Sequence, residues 1–200
     1  MDVDMEATGA RPEGPDSRDR VLQARGISEP STASCLLAVD VGNTVTKFGV
    51  FAADELAGTW EVTTSERCTA DEAWAQAACA IDMLGAPEPT SAILSCVVPS
   101  LAEVWRSALG KLCGTRPYAV GPGLKTGIRM RYDDPSEVGS DRVADAVAAL
   151  EKFEPPIVTI DMGTATTIGV ISEGRNYEGG MLPPGVNVSL EALSRRAAQL

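Results

Sequence analysis

One local pattern occurs twice in this chain. Leu36-Leu37-Ala38-Val39-Asp40-Val41-Gly42-Asn43-Thr44 returns in altered letters as Ile157-Val158-Thr159-Ile160-Asp161-Met162-Gly163-Thr164-Ala165-Thr166. In each copy an apolar run leads into Asp-x-Gly-[Asn/Thr] and then a second apolar run, Phe48-Gly49-Val50-Phe51 or Ile168-Gly169-Val170-Ile171. That pattern predicts a buried strand, a tight glycine turn and a returning strand. Glycine lets the backbone approach a ligand, and the turn's amides and hydroxyls can donate to phosphate oxygens. An Asp at the strand end can hold a metal ion or its waters against the same phosphates. A single hairpin of this kind is ordinary turn chemistry. Two of them suggest a duplicated fold whose turns close on one nucleotide.

The rest of the composition narrows the function by exclusion. At 200 residues, 44% hydrophobic and 22% charged, the chain can bury one large or two small cores. A net charge of −11, with no basic cluster, argues against nucleic acid as a main partner. Aromatic content of 4% argues against base stacking as well. There is no histidine, so acid–base work falls to carboxylates, Lys, Tyr or Cys. The five cysteines, Cys35, Cys68, Cys79, Cys96 and Cys113, lack C-x-x-C spacing. Cys35, Cys79 and Cys96 lie in apolar runs and read as small buried hydrophobes. An odd, scattered thiol set suits a reducing compartment. No apolar run is long enough for a membrane span, and acidic Asp2, Asp4 and Glu6 follow Met1. The expected location is cytoplasmic, with no membrane partner.

Along the chain, residues 1–33 are polar and Gly/Pro-rich and read as a disordered tail. After the first hairpin (35–51), Ala57–Val62 reads as a third strand and Ala70–Leu84 as a helix with Ala73, Ala77, Ala80, Ile81 and Leu84 inward. Ala92–Val98 is a strand stopped by Pro99, Leu101–Leu112 a helix, Pro117–Val120 a strand. Gly121–Gly127 is a loop leading to Arg129–Tyr132 and a turn at Asp133-Asp134-Pro135. A helix then runs from Asp141 to Phe153, with Val143, Ala144, Val147 and Leu150 inward. Beyond the second hairpin come a turn over Ser172–Tyr177, a short strand Gly179–Leu182, a loop Pro183–Gly185 and a helix from Ser189 to Leu200. Alternating strands and helices predict an α/β fold with sheets covered on both faces. The final helix has no C-cap signal, which reads as a natural chain that continues.

Two clusters can carry chemistry. Asp40 opens the first turn, where it serves equally as an Asx-turn residue or a phosphate-site group. The second copy, with Asp161 and Thr164-Ala165-Thr166-Thr167, shifts the balance to phosphate binding. Lys47 either neutralises phosphate or is a solvated edge residue. Val138-Gly139-Ser140-Asp141-Arg142 is the other cluster. Asp141 there complements the helix dipole. The same residues also suit a substrate carboxylate at Arg142, with Asp141 accepting a proton from a hydroxyl and Tyr132 lining the pocket.

Taken in order, Asp40–Thr44, Cys96-Val97-Val98-Pro99, Val120–Gly127, Asp134–Arg142, Asp161–Thr167, Gly179-Gly180 and Pro184-Gly185 resemble type III pantothenate kinase, over residues 35–200. The resemblance implies two ribonuclease-H-like domains of the actin-like ATPase superfamily with ATP between them. It places the first domain, with the substrate-site helix, at 34–154 and an incomplete second domain at 155–200. It implies transfer of the ATP γ-phosphate to the primary hydroxyl of pantothenate, the opening step of coenzyme A synthesis, with Mg²⁺ accompanying ATP and a homodimeric assembly. Carried over, Asp40, Val41, Gly42, Asn43, Thr44, Val45, Thr46 and Lys47 form the first ATP turn, and Thr164 contacts ATP from the second. Asp161 matches the ligand of a required monovalent cation, potassium or ammonium. Tyr132, Gly139, Ser140, Asp141 and Arg142 match the pantothenate site, with Asp141 the proton acceptor.

The chain departs from the family at three places. Ser140 stands where alanine is commoner, and Ile168-Gly169 replaces a usual Phe-Asp. The family's later segment, with a further substrate-binding threonine, lies beyond Leu200. The competing readings are a non-catalytic regulatory or scaffold member of the same fold, and a kinase for another small hydroxylated acid.

Overall fold

A computed structural model describes residues 34–53, 55–121, 124–132, 134 and 138–197. The tail over 1–33, Pro122, Gly123, Asp133, residues 135–137 and the expected helix end at 198–200 lie outside the described residues. Both predicted hairpins are present. The first is β1 (Cys35–Val41) and β2 (Val45–Ala52), paired antiparallel with Asp40 opposite Lys47. The second is β7 (Ile157–Met162) and β8 (Thr166–Ile171), with Asp161 opposite Thr167.

Around the first hairpin the sheet grows in the order β3-β2-β1-β4-β5, with β3 Glu55–Thr63, β4 Ser91–Cys96 and β5 Tyr118–Ala119. The three-strand meander is antiparallel, while β4 and β5 join in parallel. The parallel joins need crossovers, which helices α1 (Ala70–Met83) and α2 (Pro99–Cys113) supply. Helix α1 opens with a reciprocal cap: Glu72 N donates to Thr69 Oγ1 at 3.3 Å and Thr69 N to Glu72 Oε2 at 2.8 Å. Pro99 sits at the start of α2 instead of merely ending the strand before it, because its missing N–H is harmless there.

On one face of this sheet Leu37, Val39, Val41, Phe48 and Leu94 join Ala73 and Ala77 of α1 and Leu101, Trp105 and Leu109 of α2 in the main core. Trp105 meets Phe48 at a 5.6 Å ring separation. Cys79 faces solvent, contrary to its expected burial, since Ala77, Ala80 and Ile81 take the inward stripe of α1. Cys35 is buried and Cys96 partly so.

The second sheet runs β6-β9-β8-β7, with β6 Arg129–Met130 and β9 Asn176–Met181. Its β7-β8-β9 meander repeats β1-β2-β3, giving the duplicated ribonuclease-H-like plan. Strand β9 begins at Asn176, inside the stretch expected to be a turn, because the turn closes early with Arg175 N donating to Ser172 O at 2.9 Å.

Helix α3 (Ser140–Lys152) contacts β4 of the first sheet and β7 and β8 of the second. Its buried stripe is Ser140, Val143, Ala146 and Leu150; Ala144, expected inward, is exposed. The stripe joins Val138, Ile171 and Tyr177 in a second, smaller core. Helix α4 (Val186–Arg196) starts earlier than expected and buries no residue. The far face of the second sheet is therefore bare, unlike the expected two-sided cover: Val158, Ile160 and Met162 of β7 are exposed.

Candidate active site

The two glycine turns meet. Thr44 Oγ1 of the first and Thr164 Oγ1 of the second are 2.8 Å apart, within hydrogen-bond distance. Gly42 N donates to Val45 O at 3.1 Å and closes the first turn, where a Cβ on Gly42 would stand 2.9 Å from that oxygen. Thr64 N donates to Thr44 O at 2.9 Å and ties the turn to the end of β3. Asn43, Thr44 and Lys47 are exposed and Val45 is half-buried, whereas Val41 is buried in the core. Thr46 is buried too, its hydroxyl 2.9 Å from that of Thr64, so it braces the turn from behind.

The second turn has a brace that sequence reasoning assigned no role. Thr166 N donates to Pro183 O at 2.8 Å and Gly185 N to Thr164 O at 2.9 Å. A side chain on Gly185 would collide with the carbonyls of Gly163 and Thr164, so glycine is needed for this approach. The Pro184-Gly185 pair was visible in the sequence, but only the fold reveals that it lies against a turn twenty residues earlier.

Helix α3 brings the other cluster to the same place. Ser140 is buried, and its Oγ accepts from Cys96 N at 2.9 Å and from Ser95 Oγ at 3.1 Å. Those bonds pin the helix start to the end of β4, beside Asp40 on neighbouring β1. Asp141 Oδ1 accepts from Arg142 N at 2.8 Å and lies directly over Gly139, whose Cβ, if it had one, would collide with the carboxylate. Asp141, Arg142, Tyr132 and Gly139 are all half-buried.

The result is a concentration of negative charge. Burial raises the Asp40 pKa, opposed by the neighbouring Ser95 hydroxyl, and Asp141 and Asp161 raise it further while Lys47 lowers it. Asp40 Oδ1 is buried and accepts no hydrogen bond from any described residue. Asp145, one helical turn after Asp141, belongs to the same group. Its pKa is pushed up to about 6 by desolvation, then by Asp161, Asp141 and Asp40, against Lys47. It was overlooked in the sequence although the i,i+4 spacing from Asp141 puts both carboxylates on one helix face. Asp161 itself is exposed. Among the described residues no three acidic or thiol groups are arranged to hold a metal on their own. Mg²⁺ takes one or two carboxylates and fills its other positions with phosphate oxygens and water. The orphaned Asp40 Oδ1 is a fitting donor for such an ion or its water.

A groove of about 650 Å³ along β7 is bordered by Asp145, Ala149, Phe153, Ile157, Ile160 and Asp161. Of the two Asp-x-Gly motifs only Asp161 borders it, and neither Thr44 nor Thr164 does. A Cβ on Gly169 would be 2.6 Å from Thr159 Oγ1 and 3.0 Å from Tyr177 Cε2.

The chain is similar to several known proteins. The family model for type III pantothenate kinase matches residues 36–200. The chain is 40% identical over 167 residues to the Type III pantothenate kinase of Moorella thermoacetica, covering 82% of this chain and 66% of that one. It is 43% identical over 168 residues to the protein of that name from Rhodospirillum centenum, covering 82% and 64%. It thus spans just under two thirds of the length of these relatives. Among solved structures it is similar to the ethanolamine utilization protein EutJ from Carboxydothermus hydrogenoformans, with a TM-score of 0.46 at 13% identity over 86% of this chain and 60% of that one. On the family model and on these relatives, the chain belongs to the type III pantothenate kinase family.

Proposed function

We propose that this protein transfers the γ-phosphate of ATP to the primary hydroxyl of pantothenate, the first step of coenzyme A biosynthesis. The observation that carries the reading is the meeting of the two turns at Thr44 and Thr164, beside the helix start that bears Asp141 and Arg142. In this reading the backbone from Asp40 to Lys47 cradles the ATP phosphates from one side and Thr164 from the other. Phosphoryl transfer needs in-line positioning and charge neutralisation more than a strong base. Turn amides, hydroxyls and Lys47 supply part of that neutralisation. Bound Mg²⁺, held at Asp40, would neutralise phosphate oxygens, and a monovalent cation at Asp161, potassium or ammonium, would lessen the repulsion among the carboxylates. Arg142 receives the pantothenate carboxylate, Tyr132 and Gly139 line the pocket, and Ser140 sets the helix start. Asp141 orients the attacking hydroxyl and takes its proton.

The same reading divides the chain into a first domain at 34–154 and the start of a second at 155–200, and it makes the protein a cytoplasmic homodimer. Among the described residues no helix is long and apolar enough to cross a membrane.

Incubating full-length protein with ATP, Mg²⁺, potassium and pantothenate should yield phosphopantothenate by mass. ATP binding without any product would favour a non-catalytic member of the fold, and product only with another hydroxy acid would reassign the substrate. Asp141→Asn should lower turnover by roughly 10²- to 10⁴-fold with ATP affinity unchanged. A variant with near-normal turnover would remove Asp141 from the role of base.

A further inference from the structure

Two buried hydroxyls join the first sheet to the substrate-site helix: Ser95, on β4, is 7% exposed and Ser140, in the first turn of α3, 8%. Ser95 is the register partner of Asp40 on parallel β1, so the two side chains leave the same face of the sheet. Their predecessors Leu94 and Val39 point the other way, into the main core. Val97 N donates to Val41 O at 3.0 Å, so the intervening Cys96 N–H points away from β1, toward the β5 side. Among the described residues β4 and β5 pair only at Ile93–Tyr118 and Leu94–Ala119, and the pairing closes with Val120 N donating to Leu94 O at 2.8 Å. Cys96 N donates to Ser140 Oγ, at 2.9 Å, and Ser95 Oγ donates to the same oxygen at 3.1 Å. One bond would leave the helix start free to pivot, whereas two donors from consecutive residues of β4 fix it. The N-cap, Gly139, has no side chain with which to anchor this end.

We propose that Ser95 is a positioning residue: its hydrogen bond to Ser140 Oγ locks the start of α3 to the sheet beside Asp40, so that Asp141 and Arg142 stand in a fixed place against the phosphate side. The proposal rests on the reading of Asp141 and Arg142 as the acceptor site. Ser95 acts through Ser140 and touches neither substrate. Asp141 and Arg142 follow Ser140 directly, so a helix start that pivots moves both, and small displacements of reacting groups are costly in phosphoryl transfer.

The test uses full-length protein with Ser95→Ala, Ser140→Ala and the double variant. In Ser95→Ala the kcat/KM for pantothenate should fall roughly 3- to 10-fold, the worth of one hydrogen bond, with the KM for ATP unchanged. Ser140→Ala, which frees both donors, should lose at least as much. In that background Ser95→Ala should add nothing, because its partner is already gone. A Ser95→Ala enzyme that loses stability but keeps its kcat/KM, or losses that multiply in the double variant, would overturn the proposal. A second readout is independent of activity: amide hydrogen exchange at Cys96 and Val143 should quicken roughly 3- to 10-fold in Ser95→Ala, with Leu37 and Val39 unchanged. Unaltered exchange at Cys96 and Val143, or an equal rise at all four amides, would overturn the proposal even if wild type phosphorylates nothing. Wild type inactive on pantothenate, with exchange raised only at Cys96 and Val143, would refute the substrate and keep Ser95 as the anchor of the helix start.

Discussion

The two hairpins share a pattern and differ in what covers them. Leu37, Val39 and Val41 of β1 expose 0%, 2% and 0% of their surface, whereas their repeat counterparts Val158, Ile160 and Met162 of β7 expose 60%, 61% and 69%. The inner face is alike in both: Asp40 and Asp161 end their strands on the side of α3, and the two turns touch. The outer face differs because α1 and α2 cover the first sheet, while α4 buries nothing against the second. A local repeat thus dictates strand, turn and carboxylate, and the segments around it decide whether the apolar side is spent on a core.

That contrast can be broken most forcefully in the core itself. Leu37→Ala should cost about 2–5 kcal/mol in denaturant unfolding, while Val158→Ala should cost less than about 0.5 kcal/mol. Similar losses at both sites would mean that the outer face of β7 is covered in solution. The repeat glycines give the reverse contrast. A Cβ at Gly49 meets only side-chain atoms at 3.4 Å or more, but Gly169 is crowded by Thr159 and Tyr177. Gly169→Ala should therefore destabilise by about 1–3 kcal/mol through overpacking, and Gly49→Ala by under about 1 kcal/mol. A Gly169→Ala protein as stable as wild type would show that the Tyr177 ring has room to move.

A smaller effect probes the inner face. Thr44→Val, Thr164→Val and the double variant should show a coupling of about 0.5–1 kcal/mol in a double-mutant cycle. Additive effects would mean that the turns do not touch. The smallest effect is a pH slope. Asp145 has its folded pKa raised to about 6 from the ordinary carboxylate range, so its contribution to stability is complete below about pH 4 and lost as pH rises through 6. Its side chain is exposed, so the slope is shallow. The melting temperature of wild type should fall across that window relative to Asp145→Asn. Parallel curves would detach Asp145 from Asp40, Asp141 and Asp161.

Much of this was legible because it is local. Alternating apolar residues, Asp-x-Gly turns and the small inward residues of α1 report their structure within one or two turns of chain. What escaped depends on partners distant in sequence. The Pro183–Gly185 segment bracing Thr164, the Ser140 bonds to β4 and the crowding at Gly169 arise only once strands are side by side. Ala144 and Ala146 were exchanged because alanine marks either face of a helix equally well, and α3 has a sheet on both sides. The bare outer face of β7 is likewise invisible in an apolar run that predicts burial.

The central claim is that both turns close on one nucleotide, and amide shift mapping tests it directly. Titrating isotope-labelled full-length protein with a non-hydrolysable ATP analogue and Mg²⁺ should move amides of Asp40–Lys47 and of Gly163–Thr166 along one binding curve, with little change on β7's outer face. Shifts confined to a single turn, or to the groove bordered by Phe153 and Ile160, would contradict the account.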